Sequence, residues 1–197
     1  MIKSERTKAF IVERAAHLFN KRGYNGTSMS DIIEATGLTK GGIYGHFSSK
    51  EEIVVQAFEY ASSKVITELG LSIKAQDSAA GKLAAIVNYY YNYLDRSPIE
   101  GGCPILNYSA YMSDITPELK RAILAAVGKM LESIVNIAEK GKKYRQVKKK
   151  LNAKAFADLF YSRIQGAIML AKATGESNKL NDLLDELKLY IENEVLV

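Results

Sequence analysis

Apolar residues near the start of the chain fall at Ile11, Ala15, Leu18 and Phe19, a spacing of i, i+4, i+7 and i+8 that gathers them on one side of a helix. This period returns along the whole chain, and nowhere does a run alternate with the two-residue period of a half-buried strand. The expected fold is therefore all-α. Pro98, Pro104 and Pro117 are confined to one stretch, which leaves long helices permitted on either side of it.

Local signals place the ends. A first helix is expected over residues 4–22, closed by Gly23, because glycine takes the left-handed conformation that ends a helix at little cost. Thr27 or Ser28 then caps a second helix, whose Met29, Ile32 and Ile33 face a core and whose Asp31 suits the positive end of the helix dipole. It ends near Thr36-Gly37. A very short third helix runs from Thr39 through Gly45. A fourth is expected from Lys50 to about Leu69, with Ser49 and Glu52 as its capping box. Further helices are expected over residues 79–94, 106–112, 118–139, 152–173 and 179–195, the last carrying the stripe Leu180, Leu184, Leu187, Ile191 and Val195. These boundaries suggest a helical module over residues 1–48 and a larger helical domain over residues 49–197.

Composition narrows the class without choosing a function. At 197 residues, 47% hydrophobic and 25% charged, the chain reads as soluble and globular. No apolar run approaches the roughly 20 residues that span a bilayer, and the N-terminus lacks the hydrophobic stretch of a signal peptide; a cytoplasmic protein with no membrane partner is expected. The single cysteine, Cys103, agrees with a reducing compartment. Charge is uneven. Residues 1–50 carry eight basic side chains against four acidic ones, most of the overall excess of +5, whereas residues 176–197 carry two against six. An anionic partner is thus expected at the N-terminal end.

Two short helices separated by Thr36-Gly37-Leu38 have the proportions of a helix-turn-helix. In that unit the second helix enters the major groove of DNA, about 12 Å wide, where base edges are readable. Here it reads Thr39-Lys40-Gly41-Gly42-Ile43-Tyr44-Gly45-His46-Phe47, with Ile43 and Phe47 as its anchors. Each glycine costs a helix about 1 kcal/mol relative to alanine, so a bare surface must serve something other than stability. Close approach to a duplex is one such use: Lys40 can neutralise a phosphate, Tyr44 and His46 offer hydrogen bonds, and Thr39 brings a hydroxyl and a methyl. Lys50 sits beside the helix start at Ser49. Lys3 and Arg6 read either as an arm on DNA or as a solvated terminus.

The ordered run Ile11-x3-Ala15-x2-Leu18-Phe19-x3-Gly23-Tyr24-x2-Thr27-Ser28-Met29-x-Asp31-Ile32, followed by Ala35-x-Gly37-Leu38-Thr39-Lys40-Gly41-x-Ile43-Tyr44-x-His46-Phe47-x-Ser49-Lys50-Glu51, resembles the TetR family of transcriptional regulators over about residues 7–58. The resemblance implies an N-terminal three-helix DNA-binding domain and a larger helical ligand-binding and dimerisation domain. It makes Thr27, Ser28, Tyr44, His46 and Lys50 similar to phosphate-contacting positions, and Thr39, Lys40, Gly41 and Gly42 similar to positions at base edges. Gly42 and Gly45 stand where many members carry larger side chains, so direct base reading should be sparse. A repressor is implied that binds a pseudo-palindromic operator as a homodimer and is released by a small effector, with no cofactor.

Beyond residue 58 only an outline carries over. The last two long helices are implied to pair with those of a second subunit, and Phe156, Leu159, Gly166, Ala167, Leu170, Leu184, Leu187 and Ile191 are the candidates; service in the subunit's own core is the competing reading. Tyr89, Tyr90 and Tyr93 share a helical face with Ile86. With Tyr108, Tyr111, Met112, Met130 and Phe160 they either line a pocket for an aromatic or amphipathic ligand or form a plain aromatic core. Cys103, following Gly101-Gly102, reads as a buried structural cysteine or as a thiol at a short helix start, whose N-terminus lowers a thiol pKa; the Gly-Cys pair resembles a subgroup of the TetR family that includes thiol sensors of electrophiles. The basic run from Lys140 to Lys150 reads as a solvated connection between helices. Two histidines, one cysteine and the absence of HExxH, GxSxG or a phosphate loop argue against an enzyme.

Overall fold

The computed structural model describes residues 3–110 and 116–197. Its helices are α1 (Lys3–Arg22), α2 (Met29–Thr36), α3 (Lys40–Tyr44), α4 (Lys50–Lys74), α5 (Ala79–Tyr89), α6 (Tyr93–Arg96), α7 (Pro104–Ser109), α8 (Pro117–Lys143), α9 (Ala153–Thr174) and α10 (Ser177–Tyr190), the last continued by one π-helical turn, Ile191–Val195. Among the described residues there is no strand, only an isolated antiparallel bridge between Val147 and Leu196. Two compact units form, residues 1–64 with 97–126 and residues 65–96 with 127–197, the divisions falling inside α4 and α8. Candidates Tyr111 and Met112 lie outside the described residues.

In the first unit α1 packs on α2, burying Ile11, Ala15, Ala16 and Phe19 together with Ile32 of α2 and Ile43 of α3. Burial of each large aliphatic side chain contributes about 1.5–3 kcal/mol. Helix α2 starts with a complete capping box: Asp31 N–H donates to Ser28 Oγ at 3.1 Å, and Ser28 N–H donates to Asp31 Oδ2 at 2.7 Å. It stops at Gly37, whose φ of 66° lets its N–H reach Ile33 O at 2.9 Å. At the start of α4 the expected box is altered. Glu52 N–H does donate to Ser49 Oγ, at 3.3 Å, but the Glu52 carboxylate accepts from Ser48 N–H at 2.9 Å, one residue earlier.

A loop from the second half of the chain completes this unit. Asn20, at the C-terminal end of α1 and only 2% exposed, donates from Nδ2 to Glu100 O at 2.8 Å and Gly102 O at 2.9 Å. Asn107 of α7 returns the contact, donating to Asn20 Oδ1 at 3.1 Å and Asn20 O at 3.0 Å. Gly101 permits this docking in two ways: its φ is 101°, and a Cβ there would stand 2.7 Å from Asn20 O.

The second unit is built on the stripe read from the sequence: Leu180, Leu184, Leu187, Ile191 and Val195 are all buried where α10 packs on α9. Helix α4 extends five residues past the expected end, since Gly70 weakens but does not break a helix whose Val65 and Leu69 are buried. The helix expected over residues 79–94, by contrast, is interrupted. It ends at Tyr89, Asn92 adopts a positive φ of 54°, and α6 restarts at Tyr93. Side chains of α10 hold the break: Asn92 N–H donates to Asn181 Oδ1 at 3.1 Å, Asn181 Nδ2 donates to Asn92 Oδ1 at 3.0 Å, and Tyr91 OH donates to Asp185 beneath the Lys188 ammonium. Burial and the Asp185 carboxylate push the Tyr91 phenol well above its ordinary pKa.

Candidate nucleic-acid interface

Helix α3 is capped by Thr39, whose Oγ1 accepts from Gly42 N–H at 3.1 Å, and is fixed to the core through buried Ile43. Its outer side is bare. Thr39, Lys40 and Gly41 are exposed, Gly42 is half-buried, and Tyr44 is 43% exposed with the Lys40 ammonium 5.8 Å from its ring centroid. Apart from the adjoining residues and the backbone of α3 itself, no described atom lies within 4 Å of a Cβ built on Gly41, so packing within the protein does not require that glycine.

Around α3 lie the remaining expected contacts. Ser28 is exposed at the start of α2, and its bonds hold the Asp31 carboxyl below the usual range, with Arg22 at 3.0 Å adding to the effect. Lys50 places its ammonium 4.0 Å from the Tyr24 ring centroid; partial burial lowers its pKa while Glu51 and Asp31 work against that. Tyr24 OH donates to Glu51, and burial with this bond raises the phenol to about 12. His46 is half-buried, with Nδ1 3.5 Å from Ser4 Oγ. Thr27 differs from these in its burial. It is 0% exposed and its Oγ1 donates to Gly23 O at 2.9 Å, because it closes the turn after α1 rather than facing outward. Lys3 and Arg6 belong to α1, so the chain there is helical rather than an extended arm.

The arrangement is a helix-turn-helix with its second helix held from behind and stripped in front. Comparison with known proteins gives the same answer: residues 11–57 match the family described as bacterial regulatory proteins, tetR family, and residues 79–187 match the tetracyclin repressor-like C-terminal domain. The chain belongs to the TetR family of transcriptional regulators. A TetR transcriptional regulator from Chloroflexus aurantiacus J-10-FL is 34% identical, with a TM-score of 0.95 and 100% coverage of both chains. A TetR-family regulator from Cytophaga hutchinsonii is 31% identical, with a TM-score of 0.92, covering 100% of this chain and 98% of that one. The HTH-type transcriptional repressor DhaR of Mycobacterium sp. (strain GP1) is 25% identical over 175 residues, 88% of this chain and 86% of its own length. This TetR-family regulator thus has an N-terminal TetR DNA-binding domain followed by a helical tetracyclin repressor-like C-terminal domain.

The effector and dimer candidates of this TetR-family chain separate by burial and by unit. In the second unit Tyr90 and Tyr93 are buried, their ring centroids 5.0 Å apart, with Tyr89 at 5.2 and 5.7 Å from them. Met130 and Phe160 are buried in the same unit. Cys103 and Tyr108 belong to the first unit. Cys103, 1% exposed, occupies the N-cap of α7 ahead of Pro104. Tyr108 packs on Phe58 with centroids 5.0 Å apart, and its buried hydroxyl has no hydrogen-bond partner among the described residues. Sequence reasoning missed Gln165, whose Nε2 and Oε1 are both buried and unpartnered among the described residues; no local pattern marks such a group.

Of the dimer candidates, Phe156, Leu184 and Ile191 are buried in the core of the second unit, alongside Ala167 and Leu187. Leu159 and Gly166 are partly exposed, and Leu170 is 43% exposed. Between α9 and α10 runs an open groove of about 710 Å³, lined by Gly166, Leu170, Leu183, Leu187, Leu189 and Tyr190 among others. No helix is long and apolar enough to cross a membrane among the described residues.

Proposed function

We propose that this regulator is a repressor that binds a pseudo-palindromic operator as a cytoplasmic homodimer and lets go when a small effector binds. The observation that carries the DNA-binding part is α3: five residues, anchored by Ile43, with Lys40 and Gly41 exposed and no neighbour of the chain over Gly41. Thr39, Lys40, Gly41 and Gly42 lie at base edges, while Ser28, Tyr44, His46 and Lys50 reach phosphates; Thr27 serves by shaping the turn. The name of the DhaR repressor, a relative over most of the chain, favours repression over activation.

A homodimer supplies two such helices. In dimeric helix-turn-helix proteins they enter successive major grooves about 34 Å apart. The exposed subset of the dimer candidates, Leu159, Gly166 and Leu170, together with the groove between α9 and α10, forms the pairing face. Leu170 and Leu183 give it an apolar centre and Gly166 admits close approach of a facing helix.

The effector is aromatic or amphipathic and is taken by Tyr89, Tyr90, Tyr93, Met130 and Phe160 of the second unit. Support comes from the Gln165 amide of the same unit, which is buried without a hydrogen-bond partner among the described residues, since such a group costs about 1–3 kcal/mol until something bonds to it. Release requires that the effector prefer the arrangement that does not fit the operator; equal affinity for both would change nothing.

The test is a gel-shift titration of the full chain on DNA upstream of its own gene, at several salt concentrations. A protein neutralising six to ten phosphates loses about 10³- to 10⁵-fold in affinity between about 50 and 200 mM salt. Lys40→Ala should weaken binding and reduce the salt slope by about one phosphate per subunit. Salt-independent binding, or a Lys40→Ala variant with wild-type affinity and slope, would refute the reading.

A further inference from the structure

At the junction of α4, α5 and α8 in the second unit, a cavity of about 370 Å³ opens to solvent. We propose that it is a binding site for a small amphipathic organic anion, a carboxylate or phosphate monoester on a short apolar body, separate from the effector site proposed above. Its floor is apolar, formed by Ile73, Ala79 and Ile137, the last two buried. Its rim carries three ammonium groups, Lys74, Lys82 and Lys140, against one carboxylate, Asp77. Neither Lys74 nor Lys140 makes an ion pair among the described residues, so both charges are available to a ligand.

The uncharged polar groups point to the same chemistry. Gln146 Oε1 accepts from Ala79 N–H at 2.7 Å, which leaves its amide NH₂ as a donor at the cavity wall. Ser133 and Asn136 line the same wall. Lys82 donates to the backbone carbonyl of Gln76, which fixes its ammonium at the edge. The site is also formed in advance: a Cβ on Gly141 would stand 2.5 Å from Val147 Cγ2 and 2.8 Å from Ala79 Cβ, so α8 closes against α5 with no slack. Tyr144, 67% exposed and also on the lining, offers a ring to the apolar body.

The chain that follows reinforces the field. Residues 140–150 hold seven basic and no acidic side chains, and a cleft lined by one sign of charge concentrates ions of the other. At about 30 Å³ per water-sized group, the cavity has room for roughly a dozen non-hydrogen atoms. Octanoate meets that size and charge.

Calorimetric titration of the full chain with octanoate tests the proposal, with octanol as the uncharged control and inorganic phosphate as the control that lacks the apolar body. One octanoate per chain is expected, with octanol at least tenfold weaker, phosphate unable to compete at equal concentration, and binding weakened by salt. Lys74→Gln with Lys140→Gln, two exposed positions whose helical circular dichroism and melting should be unchanged, should weaken octanoate at least tenfold. The proposal is overturned if octanoate does not saturate, if octanol or phosphate binds as well, or if the double variant binds octanoate like the wild type, the outcome expected were octanoate merely entering the effector site. None of these readouts involves operator DNA, so failure here and failure of the repressor reading are told apart.

Discussion

Replacing Asn20 by alanine should remove more stability than any surface change in the first unit. Three hydrogen bonds run through its buried carboxamide, at 2.8, 2.9 and 3.1 Å, to Glu100 O, Gly102 O and Asn107 Nδ2. At about 0.5–1.5 kcal/mol net for each bond, the loss sums to roughly 3 kcal/mol. For a chain of this size that corresponds to a melting temperature lower by about 6–12 °C, read by far-UV circular dichroism. Gly101→Ala should act in the same direction, since its Cβ would meet Asn20 O at 2.7 Å on a backbone with φ of 101°. Asn20→Asp is the sharper control. Its carboxylate keeps the shape but cannot donate to the two loop carbonyls, so the charged form is disfavoured in the folded state and the folded pKa rises above the ordinary value near 3.9. That penalty is present at neutral pH and is relieved as pH falls toward the unfolded value. A loss below about 2 °C for Asn20→Ala, or an Asn20→Asp variant without relief in acid, would show that the loop is held by something else.

Three further outcomes are expected. Gly41→Ala should raise stability by about 0.5–1 kcal/mol, because the helix gains alanine's propensity and the new methyl meets open space, while operator affinity in a gel shift falls; unchanged affinity would remove close DNA approach as the reason for this glycine. Leu170→Asp, at a 43% exposed position in the groove between α9 and α10, should weaken the dimer by about 2 kcal/mol, roughly 30-fold, without unfolding the chain; light scattering that still reports a dimer at the same concentrations would rule out that face. Asp31, Glu51, Glu52 and Glu100 all have carboxyls held below their ordinary pKa by hydrogen bonds and nearby cations. Their stabilisation is present above the unfolded value near 4 and is lost as pH falls through the lowered folded values, so the melting temperature should be flat from neutral pH to about 5 and drop below about 4, with a smaller drop in Asp31→Asn.

What the sequence disclosed and what it hid divide along the range of the interactions. Ser28 with Asp31, Gly37 and the α10 stripe are legible because each rule operates within one or two helical turns. Asn92 carries no such mark: its positive φ depends on Asn181, 89 residues away, so a period count runs straight through the break in α5. The Asn20 latch joins residues about 80 apart, and a Gly-Gly pair announces an unusual backbone without naming what lies against it. Thr27 and Ser28 stand as alternative caps in the sequence for a related reason. A threonine ahead of a helix can cap outward or close the preceding turn, and only the packing after Gly23 decides between them. In the dimer candidates, Phe156 and Leu170 share the apolar character of α9, but one is buried by its own unit and the other is left exposed; hydrophobicity alone cannot separate a core from an interface. The segment of α3 escaped this ambiguity because Gly41 breaks a local rule that the packing of the chain gives no reason to break, whereas a Cβ on Gly42 or Gly45 would stand 3.3 Å from Thr39 Oγ1 or Gly41 O. Gly41 has an open surface above it, so the cost of placing glycine in a helix finds no compensation inside the chain, and a partner that approaches the bare backbone is the compensation that remains.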